Sequence, residues 1–182
     1  MCRKCIRTRN SRARHRVSTF RYTSLMRVLA IDPGYGRCGM AVVEKSGGPE
    51  TLIYSACIET SAQSDFGARL ATVVDECAKL IKVHAPDAFA MEKLFFSKNQ
   101  KTAMRVAEVR GALISCAGQN GIEVFEYSPG QIKNAAAGWG GADKKQVAAM
   151  LHILMKIDKN IKHDDEYDAI AIGLTHLVYA RR

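Results

Sequence analysis

The chain has 182 residues, of which 47% are hydrophobic and 25% charged, a globular composition that excludes a long disordered chain, a collagen-like repeat or a disulfide miniature. No apolar run is long enough to cross a membrane as a helix. The formal charge of +9 is uneven: residues 1–25 carry eight Lys or Arg and no acid, whereas residues 26–182 carry nineteen basic and eighteen acidic residues. A nearly neutral body therefore follows a basic arm.

The arm, residues 1–25, has neither helical nor strand periodicity, and its charge density predicts a solvated, disordered segment. Three readings are open for it: a nucleic-acid-binding arm, a transit-like peptide, or residues preceding a true start at Met26. The last is preferred, because Met26 directly precedes a strong strand. No apolar segment follows the charges as a secretory signal would require. Cys2 and Cys5 form a single C-x-x-C with no second pair to complete a zinc site. Cys38, Cys57, Cys77 and Cys116 each sit alone in apolar surroundings, as reduced core residues of a cytoplasmic protein do.

From Arg27 to Asp32 a β-branched apolar run ends at Pro33-Gly34, which predicts a buried strand and a turn. Residues 37–44 and 50–60 read as two further strands joined by a hairpin turn at 45–49, giving an antiparallel meander. In 65–84, Phe66, Leu70, Val73, Val74, Cys77, Leu80 and Ile81 form one helical stripe. Residues 87–92 make a short buried strand that a crossover helix allows to run parallel to the first. A second helix is expected over 98–118 and a fifth strand over 122–127. Pro129 suits the first turn of a short helix that runs into the glycine-rich loop 138–141. Asp143 and Gln146 resemble a capping box for a helix to about Met155, and after the polar linker 158–163 the last helix spans roughly 165–180. The order βββαβαβαα describes a mixed-sheet α/β domain over 26–182.

Four acids stand out. Asp32 and Glu92 end the first and fourth strands, and parallel neighbours would deliver both to one sheet edge, where open α/β sheets build their sites. Asp165 and Asp168 are three apart at the start of the last helix and share a face. Each has an ordinary structural alternative: Asp32 a turn residue, Glu92 an exposed strand-end charge, Asp165 an N-cap, Asp168 a charge favoured by a helix N-terminus. Brought together, such carboxylates repel one another unless neutralised, and Mg²⁺ or Mn²⁺ with oxygen ligands is the natural partner. Two such ions can serve the hydrolysis of a phosphodiester.

The segments 26–34 (MRVLAIDPG), 91–95 (MEKLF) with Lys98-Asn99, 109–111 (VRG) and 165–172 (DEYDAIAI) resemble the RuvC family of Holliday-junction resolvases, in the right order across residues 26–180. The resemblance implies an RNase H-like fold, here a five-stranded mixed sheet flanked by helices, working as a homodimer on four-way DNA junctions in recombination and repair. It implies Asp32, Glu92, Asp165 and Asp168 as the catalytic and metal-binding acids, with Asp164 and Glu166 leaving the register at Asp165 open by one residue. Some family members carry His at the Asp165 position. The family has no counterpart to residues 1–25, which agrees with a start at Met26. The resemblance also implies RuvA and RuvB as partners and paired nicks leaving 5′-phosphate and 3′-hydroxyl ends.

Lys98, Lys101 and Arg105 form a basic stripe suited to phosphates, although a solvated helix face explains that spacing too. By resemblance, Lys133 and Lys144 match basic positions near the active site, and Phe95 matches an aromatic that stacks on a base. Phe96 reads as core and Trp139 as either a stacking group or a lid over the core, while His152 and His176 read as structural histidines. Part of the 98–118 helix is assigned to the dimer contact. Two rival readings remain at this point: an RNase H-like nuclease acting on RNA or an RNA–DNA hybrid, and a non-catalytic junction-binding protein. Retention of all four acids argues against the second.

Overall fold

The computed structural model describes residues 25–94 and 100–180. Strands β1 (Met26–Asp32), β2 (Arg37–Lys45) and β3 (Thr51–Glu59) form the expected meander. Helix α1 (Phe66–His84) then crosses to β4 (Ala88–Glu92), and α2 (Gln100–Gln119) crosses to β5 (Glu123–Tyr127). The single sheet has the order β3-β2-β1-β4-β5, antiparallel through β1–β2–β3 and parallel through β1–β4–β5. Three helices follow β5, the first of them the short helix expected from Pro129, which the order βββαβαβαα leaves out. That helix, α3 (Pro129–Ala137), opens on a full Ser128/Gln131 capping box and runs nine residues to its C-cap at Gly138, where the glycine-rich loop begins. Then come α4 (Lys144–Met155), capped by Asp143 and Gln146 as expected, and α5 (Asp164–Tyr179).

Strand alternation sorts the core into two layers. Leu29, Ile31, Met40, Val42, Phe89 and Met91 face α1 and α2. Val28, Ala30, Ala41, Val43, Ala88 and Ala90 face α3, α4 and α5. The second face is built largely of small side chains, and α5 answers with Ala169, Ala171 and Gly173. The helix therefore lies unusually close to the strands. A Cβ on Gly173 would come within 2.7 Å of Val43 and 3.2 Å of Ala30, and one on Gly39 would fall 1.8 Å from the backbone oxygen of Asp165.

Cys38, Cys77 and Cys116 are buried free thiols, but Cys57 on β3 is only partly covered, because β3 is an edge strand. His176 is buried, with Nδ1 2.8 Å from the Tyr127 hydroxyl and its ring edge-on to Phe125; burial pushes its pKa down to about 4. His152 joins the Ile157 carbonyl to the Tyr167 hydroxyl, a structural role like that of His176. Trp139 is 56% exposed and does not act as a lid over the core. Phe96, Cys2, Cys5 and the remainder of the arm up to Ser24 lie outside the described residues.

Gly39→Ala is expected to destabilise the fold by about 1–3 kcal/mol, because backbone rather than a flexible side chain meets the new methyl group. The check is urea denaturation; Gly48→Ala, which meets nothing within 4 Å, serves as the unaffected control.

Candidate active site

Strand register fixes the first two acids. Ile31 of β1 is level with Met91 of β4, so Asp32 and Glu92, one residue further on, emerge together at the carboxyl end of two adjacent parallel strands. Gly39 of β2 is the antiparallel partner of Asp32. The backbone of Asp165 rests where a Gly39 side chain would stand, so the first turn of α5 settles against β2 beside Asp32. Asp165 lies inside the helix, which begins at Asp164 with His163 at its N-cap, so it does not cap the helix itself. One turn on, Asp168 brings the fourth carboxylate to the same end of the sheet.

The electrostatics record the crowding. Burial first, then the charges of Asp168, Glu92 and Asp165, raise the Asp32 pKa from 3.8 to about 7. Burial and Asp168 raise Glu92, with Arg110 and Lys144 partly offsetting them. Burial also raises Asp168, against the pull of the Lys144 ammonium. Lys144 leads α4 and places Nζ 2.6 Å from Asp164 Oδ2 and 3.2 Å from Asp168 Oδ2. Its hydrogen bond to Asp164 holds that exposed acid below its usual range.

Two residues that the sequence reading passed over complete the frame. Arg110 is buried on α2 and donates to the backbone carbonyl of Glu92 and to the Glu126 carboxylate, tying the ends of β4 and β5 to the helix behind them. Arg37, at the start of β2, sets Nε 3.1 Å from Asp165 Oδ2 and Nη2 4.0 Å from Asp164 Oδ1. In sequence neither carries a role of its own; Arg110 enters only within the motif Val109-Arg110-Gly111, and Arg37 only as the start of a strand.

Glu92 stands between two hollows of about 250 Å³ each. Lys133, Lys144, Asp168 and Pro129 line one of them together with Glu92. Asp32, Pro33, Lys93 and Arg110 line the other with Glu92. The structure thus brings together the four acids with Lys133 and Lys144. Arg105 lies elsewhere, over the Phe66 ring at 4.1 Å and paired with Glu108. Phe95 and Lys98 lie outside the described residues, as does the side chain of Lys101.

Burial and the surrounding carboxylates together raise Asp32 to about 7, and such crowded, partly desolvated carboxylate oxygens are the donor set of a hard divalent cation, which the residues fit. A cation there removes the repulsion that Lys144 only partly offsets.

A profile for the family described as crossover junction endodeoxyribonuclease RuvC matches residues 28–176. The crossover junction endodeoxyribonuclease RuvC of Thermosipho melanesiensis is 42% identical over 148 residues, covering 81% of this chain and 94% of that protein. The solved structure described as T. thermophilus RuvC in complex with Holliday junction substrate aligns with a TM-score of 0.81 at 32% identity, over 86% of this chain and 95% of that one. The yeast mitochondrial Holliday junction resolvase aligns with a TM-score of 0.61 at 14% identity, over 82% of this chain and 77% of that one, a likeness of fold alone.

The raised Asp32 pKa has a consequence for stability. The unfolded carboxyl ionises near 3.8 and the folded one near 7, so the folded state holds a proton that the unfolded chain has already lost. Stability from this group therefore falls as pH rises through that window. Asp32→Asn is expected to stabilise the cation-free protein by on the order of 3 kcal/mol at about pH 8 and by little at about pH 4. Urea midpoints at the two pH values check this, and added Mg²⁺ is expected to raise the wild-type midpoint more than that of the variant.

Proposed function

The chain belongs to the RuvC family of crossover junction endodeoxyribonucleases, and on that premise we propose that the four-acid cleft is where it hydrolyses the phosphodiester backbone of a four-way DNA junction. The observation that carries the reading is the meeting of Asp32, Glu92, Asp165 and Asp168, from three separated segments, at one end of the sheet.

In this reading the four carboxylates hold the cation, Mg²⁺ with Mn²⁺ as a substitute and two ions per site. When bound, it supplies the Lewis acidity that readies a water and steadies the departing oxygen. Arg110 fixes the end of β4, so Glu92 stays aimed into the cleft although its neighbours repel it. Lys144 exchanges its carboxylate partners for a phosphate oxygen, and Lys133 offers a second phosphate contact from the same wall. The water oxygen bonds to phosphorus, the bond to the 3′ oxygen breaks, and that oxygen takes a proton. The products carry 5′-phosphate and 3′-hydroxyl ends.

Beyond the cleft, we assign Phe95 to base stacking and Lys98, Lys101 and Arg105 to phosphate contacts. A homodimer joined through α2, where Met104 and Ile114 are exposed, would set two clefts on opposing strands and give paired nicks in recombination and repair. RuvA and RuvB are the partners we assign, and the cytoplasm the compartment; none of the described helices is long and apolar enough to cross a membrane. The nuclease domain is placed at residues 26–182.

The test is nicking of a labelled synthetic junction with Mg²⁺ or EDTA, beside an RNA–DNA hybrid and single-stranded RNA. Symmetric, Mg²⁺-dependent nicks confined to the junction are expected. Asp32→Asn is expected to slow them by about 100-fold or more while junction affinity holds or tightens, since a negative charge leaves the neighbourhood of the phosphates. Cleavage of the RNA substrates instead, or tight junction binding by folded dimer without nicks on varied sequences, would overturn the assignment. Removing residues 1–25 is expected to leave nicking unchanged; a large loss of junction affinity would make the arm part of the DNA-binding surface.

A further inference from the structure

The row of residues that seats Asp165 continues past the acid cleft. Asp32 of β1 pairs with Gly39 of β2, and Gly39 pairs in turn with Cys57 of β3, so the three stand side by side on the face covered by α5. Asp165 rests over the middle of that row. It therefore has Asp32 on one side and Cys57 on the other, with His163, the N-cap of α5, two residues before it. Cys57, His163 and Asp165 bring a thiol sulfur, an imidazole nitrogen and a carboxylate oxygen all within 4.8 Å of one another.

Three further observations bear on what this cluster holds. Asp165 Oδ2 is closed off from solvent, yet among the described residues nothing donates a hydrogen bond to it. Arg37 approaches it to 3.1 Å off the hydrogen-bonding direction and also lies 3.3 Å from His163 Nδ1. The Arg37 side chain is 47% exposed, and an ion pair that open to solvent is weak, so the guanidinium is a loosely held resident cation. The other ring nitrogen, Nε2, lies 3.0 Å from Glu59, which orients the imidazole as the outer partner of a ligating histidine does.

Sulfur, nitrogen and oxygen together do not suit Mg²⁺, which prefers oxygen alone; they suit Zn²⁺ and its thiophilic relatives. We propose that Cys57, His163 and Asp165 form a Zn²⁺-class site on the flank of the cleft, through which a thiophilic divalent cation withdraws Asp165 and switches the nuclease off. The switch rests on the reading of Asp165 as a cleft acid; the cation site does not. On binding, the cation displaces Arg37 and takes the sulfur as thiolate, and the thiol proton passes to solvent.

The experiment uses the full chain with Cys2→Ser and Cys5→Ser, which removes the C-x-x-C of the arm as a competing thiolate source. Co²⁺ is titrated while the thiolate-to-cobalt absorption is followed, and junction nicking is measured in excess Mg²⁺ with micromolar Zn²⁺. The background protein is expected to show the absorption and to lose nicking by at least about tenfold. Adding Cys57→Ser is expected to abolish the absorption, keep nicking in Mg²⁺ and restore nicking in Zn²⁺, and His163→Gln is expected to weaken Co²⁺ binding by at least about tenfold. Absorption that survives Cys57→Ser would overturn the site. Equal Zn²⁺ inhibition with and without Cys57 would overturn the switch, since the cation would then be acting at the four carboxylates. A Cys57-dependent cobalt spectrum in a protein that never nicks in Mg²⁺ would leave the site standing and overturn the nuclease reading.

Discussion

The close approach of α5 to β2 across Gly39 is the contact on which the cleft depends. Two carboxylates at parallel strand ends follow from the sheet alone, because Ile31 and Met91 share a register. The second pair arrives only because a helix can lie against the strand next door. Ala30 and Ala41 on the sheet, Ala169 and Gly173 on the helix, and above all the missing side chain at Gly39 leave that space. A bulkier face would still bury a helix there, but further from the strands, with its first turn drawn away from Asp32. The small residues lower the apolar area that this layer buries, and the large side chains facing α1 and α2 carry the compensating hydrophobic load.

Much of this was legible in the sequence, for reasons that can be named. Asp32 and Glu92 each follow an apolar β-branched or aromatic run and precede a break, so strand ends and acids were read together. Asp165 and Asp168 announce themselves by a spacing of three at the start of an apolar helix. The capping pairs at Ser128/Gln131 and Asp143/Gln146 obey local rules, although only the second was read in advance. Hidden from the sequence were the consequences of antiparallel register. Cys57 looks like one more core cysteine until β3 is seen to be an edge strand and Gly39 to be its partner. Arg37 and Arg110 carry no spacing signal, because what they touch lies far away along the chain. Arg105 shows what a stripe at i, i+3 and i+7 leaves out: its guanidinium stacks on Phe66 and pairs with Glu108, contacts it has to leave in order to meet a phosphate.

Each acid of the cleft meets a different form of counter-charge, and the differences sort their roles. Glu92 is fixed through its backbone carbonyl by Arg110, which leaves its carboxylate free to face the cleft. Asp168 is held by Lys144, a long exposed side chain that can be drawn away, and Asp165 by Arg37, which is half-exposed. Asp32 is more deeply buried than Glu92 or Asp168, and that burial, with the charges of its neighbours added, raises its pKa to about 7. The rigid attachment sits on backbone and the labile ones on side chains, so the cleft keeps its shape while its charge balance changes.

On the proposed function, that division couples the cleft's two kinds of ligand. A phosphate that draws Lys144 away from Asp164 and Asp168 strips the acids of their nearest ammonium, and the repulsion among them rises. A cation relieves that repulsion, so it binds more tightly once the phosphate has arrived. Read in the other direction, a bound cation neutralises the carboxylates, releases Lys144 and softens the field that would otherwise repel the backbone of the nucleic acid. The two effects are one coupling free energy and must be equal in magnitude. On the proposed function, Lys144 is therefore more than a phosphate contact beside a cation site. As a charge that either ligand frees for the other, it makes the loaded cleft, with nucleic acid and cation both in place, the favoured state over either alone.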